Sequence, residues 1–257
     1  MITLIIILIT AIVSILCFIG SLNIGQLMFN AYQVWHRRQW HRMLSYGLVH
    51  SGWGHLFFNM LTLYFFGPVV EQYFAAAFGA AAGPVLYALL YISAIAVSTT
   101  GDLIKYRDDY GYNAVGASGA VSAILFASIL FEPKMGIYIF LVPIPIPGYV
   151  FAPLYLLYCW YMARRNMDNI GHTAHFWGAV YGLLFPLLCR PSIFAHFLAQ
   201  MGLKSLKLGR QPRDFLISSD DKDSGRRNIL LPKAFPICLA KTCVEIHLRR
   251  NSIVRPR

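Results

Sequence analysis

The chain is 257 residues long, 57% hydrophobic and only 13% charged, with a mean hydropathy of +0.55. These values argue against an ordinary soluble domain and for a membrane protein whose apolar residues come in blocks. The formal charge of +11 is concentrated after Arg190, and no nucleic-acid partner is expected.

Six apolar blocks approach the length that crosses a bilayer: Ile2–Gly20, Trp53–Phe74, Ala75–Thr99, Ala114–Phe131, Gly148–Ala163 and Ile170–Cys189. The expected fold is therefore an all-α membrane protein, a six-transmembrane-helix bundle over residues 1–190, followed by a basic C-terminal tail, 191–257. Ile2–Gly20 lacks a basic leader and is longer than a signal peptide needs, so it reads as a retained first span. Residues Leu22–Gly52 hold Trp35, Arg37, Arg38, Trp40 and Arg42, a composition suited to the headgroup region.

The second block places His55 and Asn59 four residues apart, on one helix face. Polar groups inside a span cost free energy and are normally aimed at a partner; interhelical hydrogen bonding and chemistry are both open to this pair. Glu71 reads as a helix-terminal carboxylate in need of a donor. The third block, with Pro84, brings no chemistry, and the charged stretch Gly101–Asn113 reads as a solvated connection.

The fourth block opens on Gly116-Ala117-Ser118-Gly119, a serine between residues with little or no side chain, where a helix or a substrate backbone can approach its hydroxyl. After it, Met135–Val142 is too short to cross, and Pro143, Pro145 and Pro147 stop any helix. The sixth block, preceded by Asp168 and Asn169, carries His172, His175 and the small-xxx-small pair Gly178 and Gly182, a spacing that lets two helices touch backbone to backbone. Ser192–Leu208 reads as a short interfacial helix, Gln211–Arg227 as disordered, and Ile229–Ile246 is broken by Pro232 and Pro236. Five cysteines, with only Cys238 and Cys243 outside the blocks, imply no disulfide framework, and no metal site or cofactor is expected.

Blocks two, four and six run in one direction in an up-and-down topology, so His55, Asn59, Ser118 and His175 come to one depth near the same face. A hydroxyl, an imidazole and a pair of donors are the parts of acyl transfer. His175 can take the proton of Ser118, while Asn59, His55 and the Ser118 N–H can hold an oxyanion. No carboxylate lies at that depth, so the reading is a dyad.

At these residues the chain resembles the rhomboid family of intramembrane serine proteases: His50 and His55-Leu56-Phe57-Phe58-Asn59, Gly116-Ala117-Ser118-Gly119, and Ala174-His175-Phe176-Trp177-Gly178-Ala179-Val180-Tyr181-Gly182, in the family's order. The resemblance implies a six-helix core, a Ser118–His175 dyad, an oxyanion site at His55 and Asn59, and supporting positions at His50, Gly116, Gly119, Gly178 and Gly182. It also implies membrane-anchored protein substrates, a lipid bilayer as surroundings, and a site toward the extracytoplasmic face. Arg42 stands where the family has the Arg of a Trp-Arg pair, here with Trp40 displaced by one residue. Ser122 replaces an aromatic ring that in many members packs on the catalytic histidine. Two rivals come from other classes. A rhomboid-like protein that binds membrane clients without cutting them usually lacks the Ser or the His. A metal channel through His50, His55, His172 and His175 would need a carboxylate at that depth.

Overall fold

The computed structural model describes residues 1–139, 144–165 and 170–203. Pro143, Asp168, Asn169, Cys238, Cys243 and the tail from residue 204 onward lie outside them, as do the readings made for Gln211–Arg227 and Ile229–Ile246.

The helix α7, Ser118–Phe131, is the axis of the molecule: every one of its residues is buried. Around it stand α5, Trp53–Ser98, α8, Gly148–Arg165, α9, His172–Cys189, and α10, Ser192–Gln200. The first helix, α1, Ile2–Phe18, lies against α5. Behind α7 the Tyr73 ring stacks on Phe131 at 4.7 Å, and His196 on α10 meets the Phe131 carbonyl at 3.1 Å.

Glu71 sits within α5 rather than at a helix end. Its donors come from the start of α1: the Ile2 N–H at 2.7 Å, the Thr3 N–H at 3.2 Å and the Thr3 hydroxyl at 2.9 Å. A carboxylate there meets orphan N–H groups and the positive end of the α1 dipole, the favourable arrangement at a helix terminus. The charged stretch after α5 is not a solvated loop throughout. It forms α6, Thr100–Tyr106, and buries Asp102, which hydrogen-bonds Tyr112 and, on α9, Thr173.

The segment before α5 is ordered by polar side chains. Short helices α2, Ile24–Leu27, α3, Ala31–Arg37, and α4, Arg42–Ser45, follow one another, and Arg42, which is buried, ties α4 to α2 by donating to the carbonyls of Gly25 and Met28. Trp35 and Trp40 stay exposed. Strand β1, Phe29–Asn30, pairs antiparallel with β2, Asn113–Ala114, in the register Phe29 to Ala114. This ladder ties the segment to the approach to α7. A second ladder joins β3, Gly136–Ile137, to β4, Ile146–Pro147.

The six-span expectation is corrected. Among the described residues one helical run, Trp53–Tyr106, is long and apolar enough to cross a membrane, or two if the bent pair α9 and α10 counts as one span. The helices α1 and α7 have 17 and 14 residues, about 26 and 21 Å at ~1.5 Å per residue, short of a ~30 Å hydrocarbon core. The physical reasons are local. Gly116 has φ +119°, which keeps Ala114–Ala117 out of the helix and shortens the fourth block. Across Phe74–Ala75, where two blocks abut, nothing interrupts the helix; its one non-helical residue is Gly79, φ 86° and ψ 165°, where the run bends and brings Gly83 against the Ala75 backbone. The expectation of a multi-pass integral membrane protein, with its site toward the extracytoplasmic face, falls with the same finding.

Candidate active site

The approach to Ser118 is held from three sides. Tyr46, whose hydroxyl donates to the Ile95 carbonyl at 2.7 Å, accepts the Gly116 N–H on its own carbonyl at 3.0 Å. The Ala117 N–H donates to His50 Nε2 at 3.4 Å, and His50 Nδ1 lies 2.9 Å from Ser14 Oγ on α1. Ser14 spends its only hydroxyl proton on the Leu48 carbonyl at 2.9 Å, so the network assigns the His50 proton to Nδ1 and leaves Nε2 to accept. Burial, with His55 beside it, holds the His50 ring well below the usual histidine range, which fits that neutral tautomer.

Gly116 is required twice over. Its φ of +119° suits glycine, and a Cβ there would stand 2.5 Å from His55 Cε1 and 2.7 Å from His55 Nε2. The His55 ring thus lies directly against the turn that leads into Ser118. The Ser51 N–H points at His55 Nδ1 at 3.5 Å, with the Ser51 hydroxyl at 3.0 Å, so the ring proton belongs on Nε2. That nitrogen is buried with no hydrogen-bond partner. One turn on, the Asn59 amide donates to the His55 carbonyl at 3.0 Å, while its Oδ1 is buried and unpartnered. Buried polar atoms left in this state are uncommon and call for an explanation.

The chain turns helical at Ser118, which is 1% exposed. From α9, His175 Nε2 comes to 2.7 Å from Ser118 Oγ. Glycine sets this approach: a Cβ at Gly178 would collide with the Gly119 carbonyl, and one at Gly182 with the Ala123 carbonyl, so α9 lies on α7 backbone to backbone. Gly119 in turn faces Ser98 on α5, where a Cβ would stand 2.5 Å from Ser98 Cβ. The structure therefore brings Ser118 and His175 into a hydrogen bond and His50, His55, Gly116, Gly119 and Gly178 to the same corner, while Gly182 packs farther along, on Ala123. Such an arrangement can pass a hydroxyl proton to an imidazole and offer a preset N–H beside it.

Several residues at this corner escape a reading by sequence. Ser122 hydrogen-bonds Tyr155 on α8 at 3.1 Å, and the Tyr158 ring stands edge-on to His172 at 5.4 Å. Aromatic rings reach the histidine side from α8, not from the serine helix. Ser14 and Tyr46 carry no motif, and only their positions in the fold disclose their part.

The family model described as Rhomboid domain matches residues 37–192, a span holding every residue of the site except Ser14. "RHOMBOID-like protein 12, mitochondrial" of Arabidopsis thaliana is 33% identical over 113 residues, 41% of this chain and 34% of that protein. "Putative rhomboid protease YdcA" of Bacillus subtilis (strain 168) is 24% identical over 155 residues, 59% of this chain and 68% of that protein. The match thus spans only about a third of the length of the Arabidopsis relative. With the domain model covering more than half of its length, the chain belongs to the rhomboid family.

Proposed function

We propose that the chain is a serine endopeptidase that cleaves the membrane segments of single-span proteins. The observation that carries the reading is the 2.7 Å hydrogen bond between Ser118 Oγ and His175 Nε2, two buried groups on different helices. His175 takes the serine proton as Oγ attacks the scissile carbonyl, then gives it to the leaving amine; water repeats the sequence to release the acyl group. The unpartnered Nε2–H of His55 is a donor waiting for an oxyanion, and the Asn59 amide and the Ser118 N–H at the start of α7 add to it.

The substrate class follows from access. A peptide carbonyl in an intact helix is already hydrogen-bonded and covered, so the segment must unwind to meet Ser118, and unwound backbone needs polar partners. The polar corner around His55 and Asn59 supplies them. The packing of His55 on Gly116 and of Ser98 on Gly119 leaves little room beside Ser118, which favours a small side chain before the cut, with helix-breaking residues after it. Among the elements at the site α8 is the natural gate, since Gly148, Phe151 and Cys159 are its buried residues.

Labelling of the purified chain by a fluorophosphonate probe tests the reading. The wild type should react, and Ser118→Ala and His175→Ala should not. Equal labelling of all three refutes the dyad, and no labelling of any favours the rival that binds membrane clients without cutting them.

A further inference from the structure

Three metal-ligating side chains meet beside the serine. Cys159 on α8, and His172 and His175 one turn apart on α9, are all buried, and one ligand atom from each lies within 4.8 Å of the others. Cys159 is fully buried on a helix whose other sheltered positions are Gly148 and Phe151, so packing turns its thiol toward α9. A thiolate with two imidazoles is the donor set of a borderline-soft divalent cation, Zn²⁺ above all, whereas Mg²⁺ and Ca²⁺ seek oxygen. With metal–nitrogen and metal–sulfur lengths of ~2.0–2.3 Å, tetrahedral donors stand about 3.3–3.6 Å apart. Closing the cluster therefore asks each donor to move by about 1 Å, within the reach of side-chain rotation.

We propose that Cys159, His172 and His175 form a three-ligand Zn²⁺ site whose occupation switches the Ser118–His175 pair off. The binding step balances simply: the thiol gives its proton to solvent as the Cys159 Sγ–metal bond forms, and the two neutral imidazoles each contribute a lone pair. A neutral imidazole has one lone pair. If the metal takes it at either ring nitrogen of His175, the other nitrogen carries hydrogen, and nothing is left to accept the serine proton. The metal is here an inhibitor and not a cofactor, with water free to take the fourth position. The loss of activity rests on the peptidase reading above; the binding does not.

Cobalt reports the two parts separately. Titrating the purified full chain with Co²⁺ should raise a thiolate-to-cobalt charge-transfer band in the near ultraviolet that saturates at one equivalent. Cys159→Ser, close in shape and a poor ligand, should lose the band, and His172→Gln should weaken binding by more than about tenfold. Absence of the band in the wild type, or its persistence in Cys159→Ser, where Cys17, Cys189, Cys238 and Cys243 remain, overturns the site. Fluorophosphonate labelling with and without Zn²⁺ then reads the switch. Removing a general base typically costs ~10²–10⁴ in rate, so Zn²⁺ should slow the wild type by about 10²-fold or more and leave Cys159→Ser unaffected. A wild type that binds cobalt as expected but labels equally fast with Zn²⁺ overturns the switch. Should the metal-free wild type not label at all, it is the peptidase reading that fails, and the cobalt spectra still decide the site.

Discussion

Gly178→Ala separates helix approach from every other influence on the hydrogen-bonded pair Ser118 and His175. The added Cβ would stand 2.7 Å from the Gly119 carbonyl carbon and 3.0 Å from Gly119 Cα, and would collide outright with the carbonyl oxygen. Carbon pairs rest at ~3.5–4.0 Å, so α9 must retreat by about 1 Å. His175 lies one turn earlier on the same helix, and its 2.7 Å bond to Ser118 would open to about 3.5 Å, beyond hydrogen-bonding range. A misplacement of ~1 Å can cost ~10² in rate, and overpacking of this kind costs ~1–3 kcal/mol of stability. Gly182→Ala meets the Ala123 backbone just as closely, but a further turn from His175. It should lose similar stability and much less reactivity. Gly54→Ala, with nothing within 4 Å, is the control that should change neither. Fluorophosphonate labelling rates and thermal unfolding of the three variants decide it. A Gly178→Ala protein that unfolds and labels as the wild type does would refute the reasoning.

Two further perturbations address the scaffold. Glu71→Ala leaves the Ile2 and Thr3 N–H groups without their acceptor and should cost ~0.5–2 kcal/mol, as loss of a helix cap does; an unchanged unfolding midpoint would show that α1 does not depend on this carboxylate. Burial pushes the Glu132 carboxyl up, with the hydrogen bond from Tyr73 pulling the other way. A carboxyl whose folded pKa lies above its unfolded value of ~4.3 holds its proton more tightly when folded. Its contribution to stability is full below that value and is lost as the pH rises through the raised one. Glu132→Gln keeps an acceptor for Tyr73 and removes the titration, so its unfolding midpoint should decline less than that of the wild type as pH rises from 4; parallel curves would contradict this.

What the sequence discloses and what it conceals divide along physical lines. Two glycines a turn apart announce a close helix contact whatever the fold, and Gly178 and Gly182 lie on the Gly119 and Ala123 backbones. Three ordered motifs likewise suffice to identify the family. Apolarity, by contrast, reports what a segment avoids and not where its helix begins. The block Ala114–Phe131 contains a residue at φ +119°, so its first four positions lie outside the helix, Ala114 in β2 and the others in the connection to α7. Glu71 looks like a terminus because it is charged, yet it is interior to α5 because another helix brings donors to it. Asp102 stands in a charged stretch and is buried all the same, since Tyr112 from the end of that stretch and Thr173 from the distant α9 converge on it. Cys159 is invisible for the same reason: which way a half-exposed helix turns its one thiol is decided by packing.

The two halves of the site are held by different physics. Ser118 is fixed by a polar network, in which the tautomer of His50 is set by Ser14 at one ring nitrogen and read by the Ala117 N–H at the other. Hydrogen bonds of this kind are directional, and leaving one buried partner unpaired costs ~1–3 kcal/mol, so the turn before α7 has one favoured geometry. His175 is fixed by steric closeness, through glycines that leave α9 no room to roll on α7. Neither support passes through α8, where only Gly148, Phe151 and Cys159 of its 18 residues are buried. For the proposed peptidase, movement of α8 would uncover the corner while leaving in place the 2.7 Å bond between Ser118 and His175, as a buried site must if a bulky polypeptide is to enter it.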